Sequence, residues 1–156
     1  MRKIIISTLI LLVIGASGYG LFKYNKVFGL FDSPLVTACE ELITNRLRSP
    51  STYHRIEISE YEEPIPTADL GQYFDENQIS RTGRSLVEDR VYTPTNFKVF
   101  VRYEAANAYG TPVANLSLCE RATLSGDLGR VYSSTVKIDG KTETEWLIEA
   151  VLESNN

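Results

Sequence analysis

Between residues 97 and 105 the chain alternates: Phe97, Val99, Val101, Tyr103 and Ala105 fall on one parity, and Lys98, Phe100, Arg102 and Glu104 on the other. A period of two held over this length predicts a strand with one face on a core. Asn107-Ala108-Tyr109-Gly110-Thr111-Pro112 ends the run, because Asn and Gly accept positive φ and Pro has no N–H for a ladder. A second run over 113–119 follows and closes on Cys119. The two runs predict an antiparallel ribbon with a Gly-containing connection.

The remaining elements are read the same way. Ser33-Pro34 is a helix start, with Ser33 able to cap and Pro34 in the first turn. Leu35, Cys39, Leu42, Ile43 and Leu47 then recur at helical spacing, with Glu40, Glu41, Asn45 and Arg48 on the wet side. Pro50 pushes the residue before it out of the helical region, so the helix is expected to stop near Arg48. Residues 53–61 predict a strand with His54, Ile56 and Ile58 on one face and Arg55, Glu57 and Ser59 on the other. Pro64 and Pro66 mark a surface excursion over 60–78, with a helical turn expected over 68–74. Residues 81–84 are expected to turn, 85–92 to form a further strand, 125–129 to turn and 130–138 to form another strand. Asp139-Gly140 is a hairpin signal. After it, Trp146, Leu147, Ala150 and Val151 at helical spacing, with Thr142 and Glu145 in capping-box positions, favour a helix over 144–153 rather than a return strand from Lys141. The expected fold is α+β: an N-terminal helix packed on an antiparallel sheet of four or five strands. No internal repeat or low-complexity tract interrupts it.

Charge divides the 156 residues unevenly. The formal net charge is -4, yet Arg2, Lys3, Lys23 and Lys26 give the first 31 residues +4, leaving 12 basic against 20 acidic residues and a balance of -8 in the remainder. An acidic body offers no footprint for a phosphate backbone, so nucleic acid is not an expected partner. The basic start precedes an uncharged apolar run over 4–22, close to the roughly 20 residues that cross a bilayer. Residues 1–31 are therefore read as a signal anchor, with Tyr19, Phe22 and Tyr24 suited to the interface. The alternative is a signal peptide cut within Gly15-Ala16-Ser17-Gly18. No cysteine follows the apolar core, which excludes a lipoprotein anchor. Either reading puts residues 32–156 outside the cytoplasm, on the periplasmic side; the anchor also makes the lipid bilayer a partner through 4–22.

Cys39 and Cys119 are the two cysteines. In an exported body they most simply form one disulfide, with two buried free thiols as the alternative. Two cysteines and one histidine are too few for a structural metal site, and no cofactor motif is present.

Cys39 followed by Leu47-Arg48-Ser49-Pro50-Ser51-Thr52, and Tyr103-Glu104-Ala105-Ala106-Asn107-Ala108-Tyr109-Gly110 ending at Cys119, resemble a family of small bacterial and phage-borne exported proteins. In that family a cysteine-bearing helix runs into Leu-Lys-Ser-Pro-Ser-Thr, and a Tyr-x-Ala-x-Asn-Ala-(Phe or Tyr)-Gly hairpin returns to a second cysteine. The likeness covers 36–58 and 97–121, with Arg48 in place of the usual Lys. It implies the helix-on-hairpin fold and the Cys39 to Cys119 pairing, and it assigns no activity.

Candidate chemistry is sparse. His54 is the single histidine and stands near Ser51 and Thr52, but neither Gly-x-Ser-x-Gly nor His-Glu-x-x-His occurs. Glu57, Glu60, Glu62 and Glu63 read as a solvated acidic face rather than paired glycosidase carboxylates. Gly126-Asp127-Leu128-Gly129 is too short for a phosphate loop, and Asp75-Glu76-Asn77 lacks the alternating ligands of a calcium loop. Asn115-Leu116-Ser117 matches a glycosylation sequon. No catalytic residue is assigned. Tyr109, with Asn107 beside it and an outward Phe100, is the candidate protein contact; alternatively Tyr109 folds back on the sheet and Asn107 caps the turn. The expected function is a non-enzymatic, membrane-anchored protein that binds another protein or associates with the envelope; the alternative is a cleaved, soluble periplasmic inhibitor or exclusion-type factor, and the third an enzyme of unknown class.

Overall fold

The apolar stripe expected after Ser33 forms the first helix, α1 (Pro34–Arg46), and buries Leu35, Val36, Ala38, Cys39, Leu42 and Ile43. The computed structural model describes residues 32–154; the membrane segment expected over 4–22 lies outside them. Among the described residues no helix is long and apolar enough to cross a membrane. α1 lies on a four-stranded antiparallel meander in the order β1-β2-β3-β4. Its strands are β1 (His54–Pro64), β2 (Thr95–Ala106), β3 (Pro112–Thr123) and β4 (Lys137–Ile138). The alternation of the ribbon is realised: Val99, Val101, Tyr103 and Ala105 face α1 and are buried. Val99 and Val101 each contribute roughly 1.5–3 kcal/mol through burial. The fold is the α+β helix-on-sheet class that the pattern implied.

Cys39 and Cys119 are joined, with Cα atoms 5.9 Å apart and neither residue exposed. Cys119 is flanked by Val99 on β2 and Ile138 on β4. The bond therefore runs through the middle of the helix–sheet layer.

Three expectations fail for identifiable reasons. β1 does not keep one parity. The register slips between Arg55 and Glu57, so Arg55 pairs with Tyr103 and Ile58 with Val101. Both look toward α1, while Ile56 is the extra residue of a bulge and is exposed. His54, Ile56 and Ile58 therefore do not share a face. The turn expected over 81–84 and the strand over 85–92 are instead helix α3 (Arg81–Glu88), after a short helix α2 (Leu70–Glu76) in the excursion. Ser80 caps α3 by accepting from the Gly83 N–H. Gly83 reads as a turn residue but is needed for packing, since a Cβ there would lie 2.8 Å from Ile79 Cγ2. The strand expected over 130–138 shrinks to Lys137–Ile138, because Thr135 donates from both its N–H and its hydroxyl to the Tyr132 carbonyl and winds Ser133–Thr135 into a 3-10 turn.

The C-terminal reading holds. Asp139 and Gly140 both take positive φ, as a two-residue hairpin requires. The Thr142 N–H donates to Glu145 Oε2 and the Glu145 N–H to Thr142 Oγ1. This reciprocal box starts α4 (Glu143–Ser154).

Replacing both cysteines (Cys39→Ala with Cys119→Ala) releases a loop closed over 80 residues and is expected to lower stability by about 4 kcal/mol. Urea unfolding of the two proteins measures it. A loss below about 1 kcal/mol would mean that side-chain packing alone holds α1 to the sheet.

Candidate functional site

The two segments that carry the sequence resemblance meet in space. After α1, Pro50–Thr52 winds a 3-10 turn. The Thr52 hydroxyl donates to the Ser49 carbonyl at 2.7 Å and accepts the Ala106 N–H at 2.9 Å. The Ser-Pro-Ser-Thr turn is thereby tied to the outer end of β2, one residue before Asn107. Tyr53 packs on Tyr103 with ring centroids 5.3 Å apart.

Beneath this contact lies a polar lock between α1 and β1. Arg55 holds the Glu40 carboxylate with two donors, Nε at 2.7 Å and Nη2 as an ion pair, and the Tyr53 hydroxyl donates to the same carboxylate. Only 21% of the Arg55 side chain and 18% of the Glu40 side chain is exposed. The bulge at Ile56 makes this possible, because it puts Arg55 on the α1 face of the sheet. Burial, then the hydrogen bond to Glu40, raises the pKa of Tyr53 above its ordinary value of 10.0. The sequence pattern put Glu40 on the wet side of its helix and Arg55 on the strand face opposite His54, Ile56 and Ile58; a bulge leaves no sequence signal here.

From this base the ribbon projects its tip. The Asn107 side chain accepts the N–H groups of Tyr109 at 2.9 Å and Thr111 at 3.1 Å. The Asn107 N–H donates to the Thr111 carbonyl, and Gly110 takes φ 79°. These bonds close the turn, in which Tyr109 is 92% exposed. Asn107 is therefore the residue that builds the turn, and Tyr109 does not fold back. Phe100 is elsewhere. It lies seven residues before Asn107, about 24 Å along the strand, half-buried on the face away from α1 and edge-on to Tyr61 at 5.8 Å. The structure does not bring Phe100 and Tyr109 together.

The other candidates are dispersed. His54 is exposed at the start of β1, opposite Glu104. Glu57 and Glu63 sit six residues apart on one strand, about 20 Å, too far to flank a glycosidic bond; Glu63 pairs with Lys98 at 3.1 Å. Asp75 pairs with Arg84, Glu76 accepts from Gln72, and Asn77 donates to the Tyr73 carbonyl at the end of α2. In the Gly126-Asp127-Leu128-Gly129 turn, Asp127 accepts the Gly129 N–H, and a Cβ on Gly126 would come within 2.6 Å of the Thr93 carbonyl. Among the described residues no cluster of three or more His, Cys, Asp or Glu could hold a metal ion. A groove of about 460 Å³ runs under the excursion past Glu63, Tyr73, Lys98, Arg121 and Lys137. Its charges are mixed; Lys98 is paired with Glu63, and Arg121 donates to Thr135.

The class defined by these features is an acidic, disulfide-tied α+β body with a displayed ribbon tip. No family model, curated protein or solved structure matches the chain.

Glu40→Ala takes the carboxylate from a mostly buried guanidinium and is expected to destabilise by roughly 3 kcal/mol, with much of that recovered when Arg55→Met is added. Urea titrations of the single and double variants test the coupling. Because the fold favours the neutral phenol, the stability from Tyr53 is complete below about pH 10 and is lost as pH rises toward its raised folded value. The urea midpoint of Tyr53→Phe is therefore expected to fall less steeply above about pH 10 than that of the parent.

Proposed function

We propose that the protein is a non-enzymatic, extracytoplasmic protein, anchored in the cytoplasmic membrane through residues 4–22, that engages another protein with the tip of the β2–β3 ribbon. The observation that carries this reading is the exposure of Tyr109 on a turn fixed by Asn107. A large aromatic displayed at low entropic cost is the kind of anchor that supplies most of the energy of a small interface. Supporting it are the uncharged apolar run behind a basic start, the acidic body, and a disulfide that an oxidising compartment would preserve.

A photoreactive residue at Ala108 in the full chain, irradiated in intact cells, is expected to give a discrete crosslinked adduct. Tyr109→Ala should abolish that adduct without moving the urea midpoint. The same probe at Tyr132, also exposed, should give none. An adduct that survives Tyr109→Ala, or equal adducts from both positions, would end the reading. N-terminal sequencing of the membrane fraction tests the anchor: Met1 or Arg2 at the terminus is expected, and a start beyond Ser17 would mean a cleaved, soluble factor instead.

A further inference from the structure

α4 meets the body through its first turn: the Thr142–Glu145 box starts it, and Trp146 lies under the Arg46 guanidinium. From Leu147 to Glu153 every residue is exposed. Four of these, Leu147, Ile148, Val151 and Leu152, are large aliphatics at helical spacing, each half or more exposed, and they form one apolar stripe. Along one border of the stripe stand Glu145, Glu149 and Glu153, four residues apart and therefore neighbours on the helix surface. Like charges at that spacing repel, and Glu153, in the last turn, also opposes the helix dipole. Lys141 pairs with Glu149, and residues 142–156 hold no basic side chain. A groove of about 450 Å³ joins the two features, lined by Ile148 and Leu152 together with Lys141, Glu145 and Glu149.

We propose that this face of α4 receives an amphipathic helix of another protein, one that carries lysine or arginine beside its own apolar stripe. A helix of 12 residues draws most of its stability from burying an apolar face, and α4 leaves its stripe exposed. The chemistry of the occupant follows from the acids beside that stripe. Cations set against Glu145, Glu149 and Glu153 relieve their mutual repulsion, while apolar side chains of the same helix cover Leu147 and Ile148. The α4 of a second copy supplies no such cation: it has four glutamates and no basic residue, on a body with 12 basic against 20 acidic residues. Anionic lipid is repelled by the same charges. The surface shares no residue with the ribbon tip, and the contact is independent of Tyr109.

The full chain in dodecyl maltoside is titrated against a fluorescently labelled synthetic helix of about 15 residues, with leucines along one face and lysines on both sides of them, and binding is read by anisotropy. Saturable binding is expected. Leu147→Gln with Ile148→Gln should weaken it at least about tenfold and, because both positions are exposed, leave the thermal transition in place. A peptide with glutamate for every lysine should not bind, nor should one of the same composition with its leucines spread around the helix. Absence of saturable binding, equal binding of either control peptide, or equal binding to the parent and the double variant would each overturn the proposal. Two outcomes would overturn it by giving the face another occupant. A parent that sediments as a dimer, lost in the double variant, assigns it to a second copy. Quenching of a bimane on Thr144→Cys, one turn before Leu147 and Ile148 on the same face, by doxyl-labelled phosphatidylcholine in proteoliposomes assigns it to the bilayer.

Discussion

Cys39 and Cys119 meet where α1 crosses β3, and the rest of the body is arranged around that crossing. The bond sits among Val99, Val101, Leu35, Leu42, Val136 and Ile138, all at or near zero exposure. A meander of four strands has a single apolar face, and here α1 covers it together with Leu128, Val131 and Val136 from the segment before β4. The covalent tie joins the helix to the sheet at Cys119. Beyond Cys39, Leu42 and Ile43 continue the same buried stripe. Loss of the tie acts chiefly by widening the unfolded ensemble, since the loop it closes spans most of the body.

The polar elements work around this centre. Glu40 is one residue along α1 from Cys39, so the helix that carries the disulfide also presents the carboxylate that holds Arg55 and Tyr53. The Thr52 hydroxyl then fixes the end of β2, and Asn107 fixes the turn that follows. A continuous set of bonds thus runs from the core to the tip. Tyr109 is displayed from this hydrogen-bonded support, which would limit the entropy lost in the proposed contact. At the C-terminal end of α1, the Arg46 guanidinium stacks 5.2 Å from the Trp146 ring of α4. Its Nε and Nη2 are buried without a hydrogen-bond partner, and burial lowers its pKa despite the opposing pull of Asp139 and Glu143. The stacking offsets part of that desolvation.

The two sheet edges differ in kind. The acidic edge is protected and closes on proline, whereas the neutral edge is the side of the ribbon that leads to the Tyr109 tip.

Residue order alone determined the ribbon, the α1 stripe, the Asp139-Gly140 hairpin, the α4 capping box and the α+β class. Each of these rests on interactions between neighbours within a few residues, or on a periodicity long enough that the tertiary context left it intact. The two cysteines made their own pairing the simplest outcome once an exported body was inferred. Tertiary structure decided the parity of β1, because a bulge at Ile56 is stabilised by what its two flanks contact: Arg55 on Glu40, and Ile58 beside Val101. It decided that Gly83 stands inside a helix, since only the approach of Ile79 and Leu124 makes the missing Cβ necessary. It also decided that Asn107 builds the tip while Phe100 belongs to a distant part of the sheet. A strand's period shows which residues share a face; the distance between them along it, and the strand lying next to it, are set by the folded chain.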